Sequence, residues 1–201
     1  MADSAVPNTE NPGGNSRPAG YTSMMLEFYF AKLGSLQSKR LLDLGPVCAE
    51  NIMFFAHQVK KFYVCDLFLR FARNQSQELP EGEFWGHLDY APQSFDGIHL
   101  WDFIDHLTGQ QAATLVKKCH RMLMPGGKLL ITAFDERFAS ATINSFVIGQ
   151  GYQITLRPQF HLDLPWNYRS NRTLALLMTG FPKVKSFLYR NGIRELLFQR
   201  D

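Results

Sequence analysis

Short apolar runs alternate with helical patterns through residues 40–133, and this alternation constrains the fold more than any other feature of the sequence. Apolar runs predict strands at residues 40–44, 61–65, 84–88, 97–101 and 128–133. Helical patterns at residues 50–58, 67–77 and 110–122 lie between them. Such alternation favours a parallel sheet with helices on both faces, whose ligands bind at the carboxyl ends of the strands.

The two ends of the chain differ from this alternating part. Residues 1–20 hold Pro, Gly, Asn and Ser with almost nothing apolar, which predicts a disordered tail. A helical pattern begins at Thr22 and stops before Gly34, and Asn191-Gly192 between two apolar runs predicts a terminal antiparallel hairpin. Residues 21–201 are therefore expected to form one domain, a Rossmann-like, doubly wound, three-layer α/β/α fold with a mostly parallel sheet.

Composition excludes several classes of protein. The chain has 201 residues, 45% of them hydrophobic, which is enough to bury a core without disulfides or a metal. Cys48, Cys65 and Cys119 lack metal-ligand or disulfide spacing, so we expect reduced thiols, no metal and a cytoplasmic protein. No apolar run approaches the length of a membrane helix, and a net charge of +3 is too small to indicate nucleic acid by itself.

Polar residues stand where the first two predicted strands end. The first strand runs into Asp43, Gly45, Pro46 and Val47, and the second ends at Asp66. A glycine after the first strand lets a ligand approach the backbone, and an acid about 20 residues later binds ribose hydroxyls in nucleoside-binding sheets. The structural alternatives are a plain strand-to-helix turn at the glycine and a helix N-cap at the acid.

Four segments together resemble the class I S-adenosylmethionine-dependent methyltransferases of the type 11 group. Asp43 and Gly45 match the acid and first glycine of the first motif, while Val47 and Ala49 replace the later glycines. The other segments are the Phe-Asp pair and acid-His-Leu tripeptide within residues 93–107, the Pro-Gly-Gly turn within residues 119–131, and the terminal hairpin. The resemblance implies a seven-stranded sheet with an antiparallel last strand and S-adenosylmethionine as cofactor, without a metal.

The resemblance also implies where the cofactor contacts the chain. Asp43 would lie near the methionine moiety, Gly45 beneath the cofactor and Asp66 on the ribose. Asp89 and Tyr90, after the third predicted strand, would receive the adenine.

The end of the fourth predicted strand supplies the remaining candidates. Trp101 and Asp102 would line the pocket, although a core position is equally typical of a tryptophan in such a strand. His106 is the candidate general base, because a histidine can take up a proton near neutral pH. Packing or capping at a helix start is the alternative role for this histidine.

Residues 136–170 are expected to form a hairpin and a lid inserted before the last two strands. Within residues 157–172, aromatic and cationic side chains stand between prolines, and a long loop of this kind is usually functional. Arg157, Arg169 and Arg172 favour an anionic substrate, with a solvated basic face as the alternative.

The leading hypothesis for function is methyl transfer to a small-molecule acceptor by in-line displacement, in which the protein mainly holds the reactants in place. The alternative is a methyltransferase-like binding or scaffold protein without turnover, because Val47 and Pro46 alter the glycine turn. A third hypothesis, nucleic-acid binding through the basic C-terminal third, competes with the common use of Lys and Arg to protect edge strands. No nucleic-acid partner is expected.

Overall fold

The computed structural model describes residues 20–77, 81–138 and 142–201. Its strands are β1 (Gly20–Thr22), β2 (Arg40–Asp43), β3 (Lys61–Val64), β4 (Phe95–Trp101), β5 (Leu123–Phe134), β6 (Asn144–Ile148), β7 (Gln153–Pro158), β8 (Lys183–Leu188) and β9 (Ile193–Gln199). Its α-helices are α1 (Met24–Leu33), α2 (Ala49–Ala56), α3 (Leu67–Ser76), α4 (Glu81–Gly86), α5 (Gly109–Met122) and α6 (Asn171–Leu177). None of the helices in these ranges is long and apolar enough to cross a membrane.

The main sheet has six strands in the order β3-β2-β4-β5-β9-β8. The first four of these are parallel, and β9 and β8 are antiparallel to their neighbours. Apolar side chains of α1 and α2 cover one face, and those of α3 to α6 cover the other. The predicted α/β fold, mostly parallel with an antiparallel end, is confirmed.

The strand predicted at residues 84–88 is wrong. Residues 81–86 form α4, whose Phe84 lies 5.3 Å from Phe71 between ring centroids and packs in the same core as Phe103. A short apolar run satisfies either a strand or a buried helical turn, and contact with α3 selects the helix here. Among the described residues, β3 is therefore an edge strand, and the main sheet has six strands where the resemblance implied seven.

A second, three-stranded antiparallel sheet has the order β1-β7-β6. It contains a hairpin formed by β6 and β7, within the residues 136–170 where a hairpin was expected. The side chain of Asn51 in α2 donates to the carbonyl of Phe146 and accepts from the amide of Ile148. These two hydrogen bonds fix the second sheet above the start of α2, next to the carboxyl ends of the main strands.

Local signals set the helix ends. Ser23 caps α1 through its side chain, and Gly34 ends that helix with φ 72°, as predicted. Thr108 and Gln111 form a reciprocal capping box at the start of α5. The predicted terminal hairpin is confirmed, and Gly192 in its turn has φ 79°.

Glu195, in the middle of β9, is 1% exposed and ties the first elements of the chain to the sheet. Its carboxylate accepts hydrogen bonds from the hydroxyls of Tyr21 (2.8 Å), Ser23 (2.8 Å to Oε2) and Tyr189 (2.6 Å). Burial raises the pKa of Glu195, while these hydroxyls act in the opposite direction. Three donors to one carboxylate make this the main polar anchor of β1 and α1.

Candidate functional site

Asp43, Gly45 and Trp101 meet where β2 and β4 end. Oδ1 of Asp43 accepts hydrogen bonds from the Gly45 amide (2.8 Å) and from Nε1 of Trp101 (2.9 Å). Burial raises the pKa of Asp43 to about 6, although both hydrogen bonds favour the carboxylate. The carboxyl edge of the sheet therefore brings together three residues that were predicted to line a cofactor pocket.

The indole of Trp101 lies directly over Gly45. A Cβ atom at Gly45 would stand 2.3 Å from Cδ1 of that indole, so glycine is the residue that permits the contact. The indole is 3% exposed and stacks on the ring of Phe146, with centroids 5.2 Å apart and planes at 11°. Trp101 also has φ 49°, a region that bulky residues rarely adopt.

Asp66 lies beyond the end of β3 and uses both carboxylate oxygens on backbone amides. Oδ1 accepts from the Leu69 amide at 2.8 Å, which is the N-cap of α3, and Oδ2 accepts from the Val47 amide at 3.1 Å. The N-cap alternative for Asp66 is therefore correct. The bond to Val47 also holds the glycine turn against the end of β3, and the side chain of Val47 is 59% exposed.

Asp89 and Tyr90 do not join this group. Tyr90 packs against Phe95, the first residue of β4, and Asp89 pairs with Arg121 near the start of β5, at 3.1 Å. Both contacts lie toward the amino ends of the parallel strands. The expected strand before these residues is the helix α4, and the structure gives the adenine assignment no support.

His106 is fully buried in a one-turn helix, Phe103–His106, that follows β4. Its Nδ1 lies 2.9 Å from the carbonyl of Pro165, and because a carbonyl only accepts, Nδ1 carries the proton. Its Nε2 lies 3.9 Å from Oδ2 of Asp102, and among the described residues neither oxygen of Asp102 has a hydrogen-bond partner. Asp102 and His106 thus form a buried pair close to the end of β4.

Residues 165–169 cover this pair. Trp166 packs on His106, with ring centroids 4.1 Å apart, and the Asn167 amide donates to the carbonyl of Asp105 at 2.6 Å. The guanidinium of Arg169 donates to the carbonyls of Ile104 and Leu107. These contacts cover the end of β4, and the role of residues 136–170 as a lid stays a prediction.

The three arginines that were predicted to favour an anionic substrate do not lie together in the structure. Arg157 pairs with Glu50 at 2.5 Å and lowers the pKa of that carboxyl to about 2. Arg169 is buried against backbone carbonyls, and Arg172 is exposed. The sequence reasoning missed Arg194, a buried arginine of β9 that donates to the carbonyls of Phe134 and Arg169. The sequence places Arg194 among the basic residues of the predicted terminal hairpin and gives no signal that its guanidinium is buried.

A cavity of about 460 Å³ opens beyond the carboxyl end of β5. Its floor and walls combine acidic, basic and aromatic side chains from three parts of the chain: Asp135, Glu136, Arg137, Tyr168, Arg169, Ser170, Asn171, Leu188 and Arg194. Arg169 and Arg194 make no ion pair within 4.0 Å with the acidic side chains of the described residues. The cavity therefore combines the volume of a small-molecule site with two buried positive charges.

No group of three His, Cys, Asp or Glu side chains within the described ranges is placed to hold a metal ion.

His99, in the middle of β4, lowers the free energy of unfolding by an amount that depends on pH. It is fully buried 4.0 Å from Asp43, and burial lowers its pKa to about 3, so the pair is not an ion pair at neutral pH. Below about pH 6.5 the unfolded chain binds a proton that the folded chain does not, so stability falls by up to about 1.4 kcal/mol per pH unit as the pH falls.

We expect His99→Leu to gain stability relative to the wild type as the pH falls from 7 to 4, measured by urea unfolding. An unchanged difference across that range would contradict the buried neutral state.

The residues at this edge have the chemistry to bind a nucleoside. In the arrangement that the structure shows, they leave no room for one. Acids follow β2 and β3, and a glycine follows β2, as the resemblance implied for S-adenosylmethionine. In this arrangement, however, the indole of Trp101 covers Gly45, and both oxygens of Asp66 are used by backbone amides. The described side chains therefore do not fit a bound cofactor without a rearrangement.

Comparison with known proteins supports the same family. Residues 42–131, just under half of the chain, match the profile of the family described as "Methyltransferase domain". A search of curated proteins finds no match.

Several solved structures share the fold. An S-adenosylmethionine-dependent methyltransferase from Mesorhizobium loti is 15% identical, with 85% of this chain and 94% of that chain covered and a TM-score of 0.54. The 1,6-didemethyltoxoflavin-N1-methyltransferase of Burkholderia thailandensis, solved with 1,6-didemethyltoxoflavin and S-adenosylhomocysteine, is 17% identical, with 87% and 75% covered and a TM-score of 0.52. The N-methyltransferase NodS of Bradyrhizobium japonicum is 16% identical, with 84% and 89% covered and a TM-score of 0.50. At these identities the likeness shows the fold of class I methyltransferases, and residues 42–131 are similar to the methyltransferase-domain family.

Proposed function

We propose that this protein transfers a methyl group from S-adenosylmethionine to a small-molecule acceptor, with its cofactor site at the carboxyl ends of β2, β3 and β4. The convergence of Asp43, Gly45 and Asp66 carries the proposal. Asp66 is close enough to Asp43 to contribute to the raised pKa of that carboxyl, and it bonds directly to the glycine turn. The cofactor would supply the methyl group, and the chain would bind and position both reactants.

The proposed base is His106, with Asp102 as its partner. Because Nδ1 donates to Pro165, the neutral ring has a bare Nε2, which is the atom that could accept a proton. Asp102 is near enough to stabilise the cation that would result. Since Trp166 and Pro165 cover the ring, an acceptor would reach it only after this covering segment moves.

The cavity beyond the carboxyl end of β5 is the reason for proposing a small acceptor. Its volume of about 460 Å³ suits a small molecule, and the buried charges of Arg169 and Arg194 favour a carboxylate or another anion. The structure of the Burkholderia methyltransferase with its small-molecule ligand is consistent with an acceptor of this size. We also propose a cytoplasmic location, in keeping with three buried, unbridged cysteines.

A second candidate function is a binding protein of methyltransferase fold that has lost turnover. The covering of Gly45 by Trp101 favours it, as does the use of both Asp66 oxygens by the chain itself.

Titration with S-adenosylhomocysteine tests the site. We expect the wild type to bind, and Asp66→Asn to bind at least about tenfold more weakly, because a charged acceptor for the ribose hydroxyls is lost. Asparagine retains the N-cap oxygen toward Leu69 but loses the acceptor for the Val47 amide, so circular dichroism and the melting temperature are used to check that the variant is folded during the titration. Asp89→Asn, the same substitution outside the group, is the matched control and should bind as the wild type does.

Transfer of label from methyl-tritiated S-adenosylmethionine to the low-molecular-weight fraction of a cell extract separates the two candidates. Labelled product is expected from the wild type, and much less from Asp66→Asn at a cofactor concentration below saturation. Binding without any labelled product would favour the non-catalytic candidate. Absence of binding by every folded variant would contradict the cofactor site itself.

A further inference from the structure

We propose that Trp101 is a gate, whose indole occupies the ligand's place above Gly45 and leaves when the cofactor binds. This inference rests on the proposed function, because it concerns the same site. Its starting point is a contact that no ligand could share: the indole stands 2.3 Å from the position of a Cβ atom at Gly45. A residue predicted to form a pocket wall instead fills the pocket.

Three contacts hold the gate shut. The indole Nε1 donates to Oδ1 of Asp43, the ring stacks on Phe146, and the side chain is 97% buried as a result. Phe146 is in turn fixed, because Asn51 bonds to its carbonyl and to the amide of Ile148. The indole is thus clamped between the glycine turn and the second sheet.

The backbone of Trp101 is held in an unfavourable conformation by the contacts around its indole. Its φ of 49° lies in the left-handed region, which a bulky aromatic residue adopts only when surrounding contacts hold it there. When the indole leaves, Oδ1 of Asp43 loses the bond from Nε1 and keeps only the Gly45 amide as a donor. A ligand with a positively charged group near Asp43 would then compensate for the loss of the indole contact.

Gating predicts a definite effect on affinity. When a closed form predominates, the apparent dissociation constant rises above the intrinsic one in inverse proportion to the open fraction. Removing the indole should therefore tighten binding, although it removes an aromatic side chain from the site. A tryptophan that only lined the pocket would give the opposite result.

The experiment is calorimetric titration of the full chain with S-adenosylhomocysteine for the wild type, Trp101→Ala and Trp101→Phe. We expect Trp101→Ala to bind at least about tenfold more tightly than the wild type. Trp101→Phe keeps a ring over the glycine and loses the bond to Asp43, so it should lie between them. Trp85→Phe, at another buried tryptophan away from the glycine turn, is the control and should leave the affinity unchanged.

A second readout does not depend on the stability of Trp101→Ala. A chain with Trp85→Phe and Trp166→Phe retains Trp101 as its one tryptophan. Its fluorescence should shift to longer wavelength as S-adenosylhomocysteine saturates the site, because the indole leaves the interior. Bound ligand with no shift would overturn the gate.

The outcomes separate the gate from the function on which it rests. Tighter binding by Trp101→Ala supports both. Equal or weaker binding by Trp101→Ala, with the wild type binding well, overturns the gate and leaves the cofactor site standing. Absence of binding by wild type and Trp101→Ala, both folded by circular dichroism, overturns the cofactor site and the gate with it.

Discussion

Replacing Glu195 by leucine is expected to lower the free energy of unfolding by about 3–5 kcal/mol. The substitution leaves the hydroxyls of Tyr21, Ser23 and Tyr189 without their acceptor in the interior. For a chain of this size the loss corresponds to a fall in melting temperature of about 10 °C. Calorimetry or thermal denaturation measures it directly. Hydrogen exchange should increase most across residues 20–33, which this carboxylate anchors.

Two further variants test the cause. Glu195→Gln keeps one acceptor oxygen and the side-chain volume, so it should lose much less stability than Glu195→Leu. Glu27→Gln removes an exposed carboxylate of α1 and is the control. If Glu195→Leu stayed within about 0.5 kcal/mol of the wild type, the three hydrogen bonds would not be the anchor inferred here.

Replacing Asp105 by asparagine is expected to stabilise the protein at neutral and alkaline pH. Asp105 is fully buried, and burial raises its pKa to about 7. The Phe134 amide lowers the pKa, and nearby Asp102 raises it further. The positive charges of Arg169 and Arg194 lower it, and their effect ranks below that of burial. The folded state therefore keeps a proton that the unfolded chain gives up.

The sign of the pH dependence follows from that difference. Between about pH 4 and pH 7 the unfolded chain ionises at this position and the folded chain does not, so stability falls as the pH rises. Asparagine does not ionise, so the advantage of Asp105→Asn should grow from near zero at pH 4 to about 4 kcal/mol at pH 8, levelling off above pH 7. Urea unfolding of both proteins at several pH values gives the curve. Asp163→Asn, the same substitution at an exposed position, is the control.

The change with pH of the stability difference between the two proteins is more informative than its value at any one pH. Oδ2 of Asp105 accepts a hydrogen bond from the Phe134 amide, which an asparagine oxygen can also do, but the new amide group lacks an evident acceptor. That cost is independent of pH and shifts the whole curve. A difference that did not change between pH 4 and pH 8 would show that Asp105 is ionised in the folded state.

Much of the fold was predictable because its signals are local. The alternation of strand and helix patterns, the Asn191-Gly192 turn and the glycine after α1 each act within a few residues, and the structure confirms all three. The strand predicted at residues 84–88 was wrong because a five-residue apolar run is compatible with both strand and helix periodicity. Contact between Phe84 and Phe71 selects the helix. The strand β1 has three residues and no pattern of its own, so only pairing with β7 defines it.

The candidate site also has a part that was predictable from the sequence and a part that was not. Asp43, Gly45 and Trp101 could be placed at one edge from sequence, because parallel strands end together, and the structure brings them into contact. Which atoms they touch could not be predicted. The position of the Trp101 indole depends on Phe146 of another sheet, and Arg194 meets Arg169 only because β9 lies beside β5.

Periodicity, turn residues and caps in the sequence were sufficient for the α/β layers and for the edge of the sheet where polar residues gather. Tertiary packing decided that the space over Gly45 is filled, that His106 is covered by residues 165–166, and that Glu195 holds hydroxyls from both ends of the chain. The physical reason is the range of the interactions. Backbone hydrogen bonds and side-chain periodicity act over a few residues, whereas burial and close contact depend on which distant side chains share the same volume.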